Sequence, residues 1–141
     1  MGRFYEYKCP KCNFSKEMHV GGGFFSKKYW EETEQQEKEL RAKISEGKYG
    51  DYVRKLVECD TGNKLRFICN TDVFQCEKCF GLMIERKREI FYDTDDYEMV
   101  IEFKKTCPEC KGGKLRKHPE SIRCPECKEV PLKLEKFGSW D

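Results

Sequence analysis

Four copies of Cys-x-x-Cys constrain the fold of this 141-residue chain more than any other feature. In chain order, pairs 1 to 4 are Cys9/Cys12, Cys76/Cys79, Cys107/Cys110 and Cys124/Cys127. Two residues between thiols let one tight turn aim both sulfurs at one ion, and two such turns complete a tetrahedron. Eight thiolates therefore predict two metal sites with four cysteines each.

A disulfide framework is the alternative explanation for so many cysteines in a short secreted chain. The first ten residues, MGRFYEYKCP, lack the apolar stretch of a signal peptide, and no later segment is apolar enough to span a membrane. We therefore expect a cytoplasmic protein with no membrane partner, in which the paired cysteines bind metal.

Charge and composition exclude a protein that coats nucleic acid with a globally basic surface. The formal net charge is +2, and eight ligating thiolates with two divalent ions would change it to −2. Ten Lys or Arg stand against six Asp or Glu between Lys104 and Asp141. Any nucleic-acid contact is therefore expected near the C-terminal end.

Two helices are predicted between the first and second cysteine pairs. Ser26 is a suitable N-cap for a helix from Lys27 to Glu46, which Gly47 would end. A shorter helix is expected from Asp51 to Glu58 because apolar residues recur there at helical spacing. Together they would form a helical insertion at about 26–59.

A β-hairpin is predicted between the second and third cysteine pairs. One long strand is expected from Leu82 to Tyr92, and a return strand from Tyr97 to Lys104 leads toward Cys107. We expect this shared hairpin to join the two metal sites.

The segment CPECKGGKLRKHPESIRCPEC, residues 107–127, resembles the zinc ribbon, in which two cysteine turns flank a hairpin. The resemblance covers 107–137 and, more loosely, 4–20 with 74–92. It departs at Glu77, where proline is usual, and after each pair, where ribbons frequently carry glycine and this chain has Asn13, Phe80, Lys111 and Lys128. None of these departures removes a ligand.

Four cysteine pairs can combine into two sites in three ways. Short separations favour joining pair 3 with pair 4, which leaves pair 1 to join pair 2 across 63 residues. The main rival joins pair 2 with pair 3 and so brings the first and last pairs together. We expect an α+β protein with a split ribbon in 1–93, which encloses the insertion, and a second ribbon in 94–141.

Zinc is the expected ion, two per chain, because four thiolates without an open position suit a redox-silent structural metal. Iron in the same ligands would give a rubredoxin-like electron carrier, which is the alternative. The helical insertion has no obvious purpose in electron transfer.

The two remaining cysteines, Cys59 and Cys69, raise the alternative of a thiol-dependent enzyme in which His19 or His118 would assist the thiol. Cys59 ends an apolar helical stripe and Cys69 ends a predicted strand. Both are ordinary positions for a buried cysteine, so a structural role is expected for each.

A glycine-rich segment before the first helix is a candidate anion or partner site. Backbone N–H groups at a helix N-terminus attract anions, although the segment does not match the phosphate-binding loop GxxxxGK[ST]. The candidate residues are Gly21, Gly22, Gly23, Phe24, Phe25, Lys27, Lys28 and Trp30.

A cationic hairpin in the last ribbon is the candidate nucleic-acid contact. Its residues are Lys111, Lys114, Arg116, Lys117 and Arg123. Cations at a hairpin tip can contact phosphates, but no aromatic residue lies in that interval to stack bases.

These features predict a non-enzymatic zinc-ribbon protein that serves as an interaction module. A protein partner is expected, and nucleic acid is possible through the C-terminal hairpin. No combination of acid, base and nucleophile is visible in the sequence, and the eight paired cysteines leave no ligand position open.

Overall fold

The computed structural model describes residues 2–22, 26–62, 64–93, 98–117, 119 and 121–140. These residues form two helices, α1 (Lys27–Ser45) and α2 (Asp51–Glu58), and nine strands. The strands are β1 (Gly2–Lys8), β2 (Ser15–Val20), β3 (Leu65–Ile68), β4 (Thr71–Cys76), β5 (Leu82–Arg86), β6 (Glu89–Tyr92), β7 (Met99–Glu102), β8 (Leu115–Lys117) and β9 (Lys133–Trp140). This content agrees with the predicted α+β class.

The chain divides into two compact units, and it passes from one to the other four times. The ribbon unit comprises Met1–Ser26, Thr71–Arg86 and Lys104–Asp141. The insertion unit comprises Lys27–Asn70 and Lys87–Phe103. This differs from the predicted division into 1–93 and 94–141, and the helices at 26–59 form only part of the insertion.

The ribbon unit contains two antiparallel three-stranded sheets, ordered β2-β1-β9 and β5-β4-β8. Side chains alternate along these strands, so one face supplies the core. Tyr7 of β1, Met18 of β2 and Val73 of β4 belong to one buried cluster. Phe74, Met83 and Leu115 belong to a second cluster, which includes the sulfurs of Cys76 and Cys107.

The insertion unit packs both helices with a sheet of order β3-β6-β7. Helix α1 contributes Leu40 and Ile44, one turn apart, and most of its remaining surface is exposed. Gly47 ends this helix with a φ of 81°, where a left-handed backbone suits glycine. The predicted positions of both helices are confirmed, with α1 one residue shorter than expected.

The single long strand predicted from Leu82 to Tyr92 is wrong. Strand β5 pairs with β4 in the ribbon unit, whereas β6 pairs with β3 in the insertion unit. The break comes at Lys87, whose N–H donates to the carbonyl of Asn70 instead of continuing the β4 ladder. The β6–β7 hairpin therefore belongs to the insertion unit and is not a shared element joining two ribbons.

Candidate metal centres

The eight paired cysteines form two groups in the ribbon unit. Site A contains Cys9, Cys12, Cys124 and Cys127, and site B contains Cys76, Cys79, Cys107 and Cys110. Within each site all four sulfurs lie within 4.8 Å of one another. The pairing expected from sequence separation is wrong, and its main rival is the arrangement observed.

Strand pairing decides which cysteines meet. Strand β1 leads into pair 1 and β9 follows pair 4, so the antiparallel β1–β9 ladder brings these two pairs together. Strand β4 leads into pair 2 and β8 follows pair 3, and Cys76 itself lies opposite Leu115. The free energy of loop closure changes only slowly with loop length, so these ladders outweigh the shorter loop between pairs 3 and 4.

The distances between sulfurs fit a tetrahedral metal and exclude disulfides. Sulfurs from different pairs are 3.8 and 3.5 Å apart in site A and 3.7 and 3.8 Å apart in site B. A tetrahedron with metal–sulfur bonds of about 2.3 Å has edges of about 3.8 Å. A disulfide would require about 2.05 Å. Both groups are therefore consistent with zinc-ribbon-like sites that could bind metal.

Backbone amides donate to the first sulfur of pairs 1 and 2. In site B the N–H groups of Lys78 and Cys79 lie 3.3 and 3.4 Å from the sulfur of Cys76. The same two amides of pair 1 reach its first sulfur at 3.4 and 3.3 Å. The backbone N–H of Gly112 lowers the pKa of the Cys110 thiol to about 6, against the opposing effect of burial. Thiolates are the form that binds metal.

The residue after a cysteine pair adopts a left-handed backbone in three of the four turns. The φ angles are 60° at Phe80, 59° at Lys111 and 58° at Lys128, whereas Asn13 does not have a positive φ. In each of the three turns this residue's N–H donates to the carbonyl of the first cysteine, at 3.0 to 3.1 Å. Glycine is frequent there in ribbons because a side chain strains this conformation.

Gly113 is required by the close approach of its backbone to site B. A Cβ atom there would lie 2.1 Å from the sulfur of Cys76 and 2.9 Å from the Cβ of Lys78. The carbonyl of Gly113 also accepts a hydrogen bond of 2.8 Å from the N–H of Cys107.

One buried side chain links the two metal sites. The side-chain amide of Gln75 donates to the carbonyls of Arg123 and Phe80, at 2.6 and 3.0 Å, and its oxygen accepts from the N–H of Arg123 at 3.0 Å. Gln75 precedes Cys76 of site B, and Arg123 precedes Cys124 of site A. The segments that carry Cys76 and Cys124 are therefore joined by two hydrogen bonds between Gln75 and Arg123.

A cavity of about 520 Å³ lies beside site B in the ribbon unit. Its walls include the side chains of Phe80, Arg116, Arg123 and Glu77. The guanidinium of Arg123 lies 5.1 Å from the centroid of the Phe80 ring, and Arg116 forms an ion pair of 3.1 Å with Glu77. The cavity thus combines an aromatic ring with two guanidinium groups.

All five predicted nucleic-acid contacts lie in the ribbon unit. Lys111, Lys114, Arg116 and Arg123 are exposed, and Lys117 is partly buried. The fold brings two further residues to this region that the sequence analysis missed. Phe80 lines a cavity with Arg116 and Arg123, and the ammonium of Lys78 lies 3.2 Å from the position that a Cβ on Gly112 would occupy. An aromatic residue therefore does accompany these cations, although it comes from a distant part of the chain.

The glycine-rich candidate site is only partly within the described residues, since Gly23, Phe24 and Phe25 lie outside them. The N–H of Gly21 donates to the hydroxyl of Thr71 at 2.6 Å. The ammonium of Lys27 lies 3.7 Å from the carboxylate of Glu31.

Three other members of this candidate site are described. Gly22 is buried, Lys28 is exposed, and Trp30 is 43% exposed with its ring edge-on to Tyr29. Two of the groups offered to an anion, the Gly21 N–H and the Lys27 ammonium, therefore already have partners in the protein.

The two unpaired cysteines differ in exposure. Cys69 is buried in the core of the insertion unit, as expected. Cys59 is exposed at the end of α2, so the expected burial of this residue is wrong, because the apolar face of α2 ends one turn earlier at Leu56 and Val57. The Nε2 atom of His19 lies 2.9 Å from the carboxylate of Glu17. His118 falls outside the described residues.

Comparison with protein-family models, curated proteins and solved structures finds no match to the chain. In the described part of the chain, no helix has the length and apolar character to cross a membrane.

Proposed function

We propose that this protein is a non-enzymatic, zinc-stabilised module that binds nucleic acid through its ribbon unit. The observation that carries the proposal is the meeting of Phe80 with Arg116 and Arg123 in one cavity. Cations can neutralise phosphates, and an aromatic ring can stack on a base, so together they offer both main kinds of nucleic-acid contact.

Zinc is proposed for both sites on the chemistry of their ligands. Each site offers four thiolates at tetrahedral spacing and leaves no position for water or substrate. Such closed sites stabilise folds and do not activate water, which supports a structural role. A rubredoxin-like iron protein is the alternative, and a red colour with visible absorbance in the purified native protein would favour it over colourless zinc.

The distribution of charge supports the ribbon unit as the binding surface. Its segments carry sixteen Lys or Arg against eleven Asp or Glu, whereas the insertion unit carries twelve against fifteen. With eight thiolates and two divalent ions, the ribbon unit remains slightly positive at about +1. Phosphate contacts are therefore expected on its exposed cations and not on the acidic insertion.

Charge reversal tests the proposal. In the full-length metallated protein, Lys114→Glu, Arg116→Glu and Lys117→Glu are combined, and the affinity for a labelled oligonucleotide is measured by fluorescence anisotropy. We expect wild-type affinity to fall steeply between 50 and 200 mM salt, and the triple variant to bind at least about tenfold more weakly at low salt.

The matched control is Lys27→Glu with Lys38→Glu and Lys48→Glu, all exposed residues of the insertion unit. It changes the net charge by the same amount but should retain most of the affinity. Equal losses in the two triple variants, or no binding by the wild type at low salt, would overturn the proposal.

A further inference from the structure

We infer that the cavity beside site B holds a single unpaired nucleobase together with its adjoining phosphodiester, so that the ribbon unit prefers single strands to duplexes. This inference rests on the proposed function and specifies the part of the nucleic acid that the protein recognises. Phe80, Arg116, Arg123 and Glu77 are the residues that would contact the nucleotide.

The wall that carries Phe80 is held rigidly. The N–H of Phe80 donates to the carbonyl of Cys76 at 3.1 Å, and its own carbonyl accepts from the Gln75 amide at 3.0 Å. Gln75 is buried and is fixed in turn by the backbone of Arg123. A backbone fixed in advance loses little freedom on binding, so less of the binding free energy is spent on ordering it.

The size and lining of the cavity suit one planar ring. Its volume of about 520 Å³ lies within the range of about 300–1,000 Å³ that is typical of small-molecule sites. The guanidinium of Arg123 lies over the Phe80 ring, 5.1 Å from its centroid, which leaves no room for a base between them, so a base would stack on the outer surface of the guanidinium or displace it from the ring. A base can stack on either surface, because stacking needs only an exposed π face.

The charges favour a nucleotide within a strand over a free phosphate. Two arginines and Glu77 give the charged lining a net charge of +1, while site B with four thiolates and a divalent ion would carry −2. A multiply charged anion such as inorganic phosphate or a triphosphate is therefore disfavoured. A phosphodiester carries one negative charge, which Arg116 can neutralise while its ion pair with Glu77 is shared or exchanged.

Glu77 offers a hydrogen-bond acceptor to the edge of the base. Its carboxylate lines the same cavity and is an acceptor only, so it suits an exocyclic amino group such as that of cytosine. The faces of the base are accessible to such a cavity only when the base is unpaired, because a duplex buries both faces in stacking. These contacts explain why single strands should be preferred.

The test compares labelled 12-nucleotide single strands with a 12-base-pair duplex, using the full-length metallated protein. Phe80→Leu keeps an apolar side chain but removes the aromatic face. We expect it to weaken single-strand binding by about 5- to 100-fold and to change duplex binding less than twofold. The control is Phe137→Leu, an aromatic of the same unit that is 74% exposed on β9, and it should leave both affinities within twofold.

The outcomes separate the inference from the proposed function. Unchanged single-strand binding by Phe80→Leu would overturn the inference while leaving nucleic-acid binding intact. Failure of the wild type to bind either probe would overturn both.

If Phe80→Leu fails to retain two metal ions, photo-crosslinking of the wild type to a 4-thiothymidine oligonucleotide replaces it. Adducts at Phe80 or near Arg116 and Arg123 support the cavity, and adducts confined to other segments overturn it.

Discussion

The two metal sites share one plan but differ in how tightly the backbone closes around the sulfurs. In each, the central strand of a three-stranded sheet leads into one cysteine pair, and an outer strand follows the other pair. Gly113 in site B and Val130 in site A occupy equivalent positions, because their carbonyls accept from the N–H of Cys107 and Cys124. A Cβ is excluded from Gly113 by the Cys76 sulfur, yet site A accommodates a valine. The plan thus tolerates different packing so long as the four thiolates converge.

The sites also differ in how much chain they enclose. Site B joins cysteines as close as 28 residues apart, whereas the nearest cysteines of different pairs in site A are 112 apart. Site B is therefore nested entirely between the two halves of site A. Gln75 is a buried connection between the two, so site B is tied to site A through hydrogen bonds as well as through the chain.

Substitution of ligand cysteines should have the largest effect on metal content and folding. It tests directly which cysteine pairs share an ion. Cys9→Ser with Cys124→Ser removes two ligands from site A alone, so this variant should retain one ion per chain. Cys9→Ser with Cys76→Ser damages both sites and should retain none after dialysis against a weak chelator. Each lost site removes on the order of 10 kcal/mol of metal-coupled folding free energy. Metal content per chain and circular dichroism measure the result.

The two arrangements of cysteines give opposite results in this experiment. If pair 1 shared its ion with pair 2, Cys9→Ser with Cys76→Ser would retain one ion and Cys9→Ser with Cys124→Ser would lose both. That outcome would contradict the sites described above.

The sequence was sufficient for local features and insufficient for the pairing of distant ones. The ligands and both helices were predictable because their signals lie within a few residues, as in Cys-x-x-Cys or the stop at Gly47. The ladders β1–β9 and β4–β8 depend on contacts between strands far apart in the chain, which no local pattern specifies.

One signal in the sequence did indicate the correct pairing. Pairs 1 and 2 read Cys-Pro-Lys-Cys and Cys-Glu-Lys-Cys, while pairs 3 and 4 both read Cys-Pro-Glu-Cys-Lys. Each site takes one pair of each type. Similar pairs are therefore equivalent halves of two sites and do not share one ion.

The cavity lay beyond sequence reasoning for a different reason. Phe80 is 36 residues before Arg116, and it approaches the cations only because β8 pairs with β4. The cationic hairpin itself contains no aromatic residue to stack a base. A feature built from three separate segments becomes visible only when their contacts are known.

A side chain at position 113 should have the second largest effect on metal content and stability. It tests whether the backbone lies closer to the sulfurs in site B than in site A. Gly113→Ala places a methyl group against the Cys76 sulfur, so we expect loss of about 3 kcal/mol and of the site B ion. Gly112→Ala is the control, because its Cβ would approach only the ammonium of Lys78 closely, at 3.2 Å, with the Cys110 carbonyl at an ordinary 3.9 Å, and it should cost less than about 1 kcal/mol. Metal content and urea unfolding distinguish the two. Retention of two ions by Gly113→Ala, with unchanged stability, would contradict the tighter closure of site B.

Relief of backbone strain at the residue after a cysteine pair should have the smallest effect on stability. The test compares the turn of pair 1 with the turn of pair 4. Lys128→Gly removes a side chain from a left-handed residue, which should stabilise site A by about 0.5–1 kcal/mol after the entropy of glycine in the unfolded chain is included. Asn13→Gly in the same site should destabilise by a similar amount, because Asn13 has no positive φ to relieve and glycine only adds freedom to the unfolded state. Urea midpoints of the metallated proteins should therefore move in opposite directions. A shift in the same direction for both variants would show that these two turns do not differ in strain as the φ angles indicate.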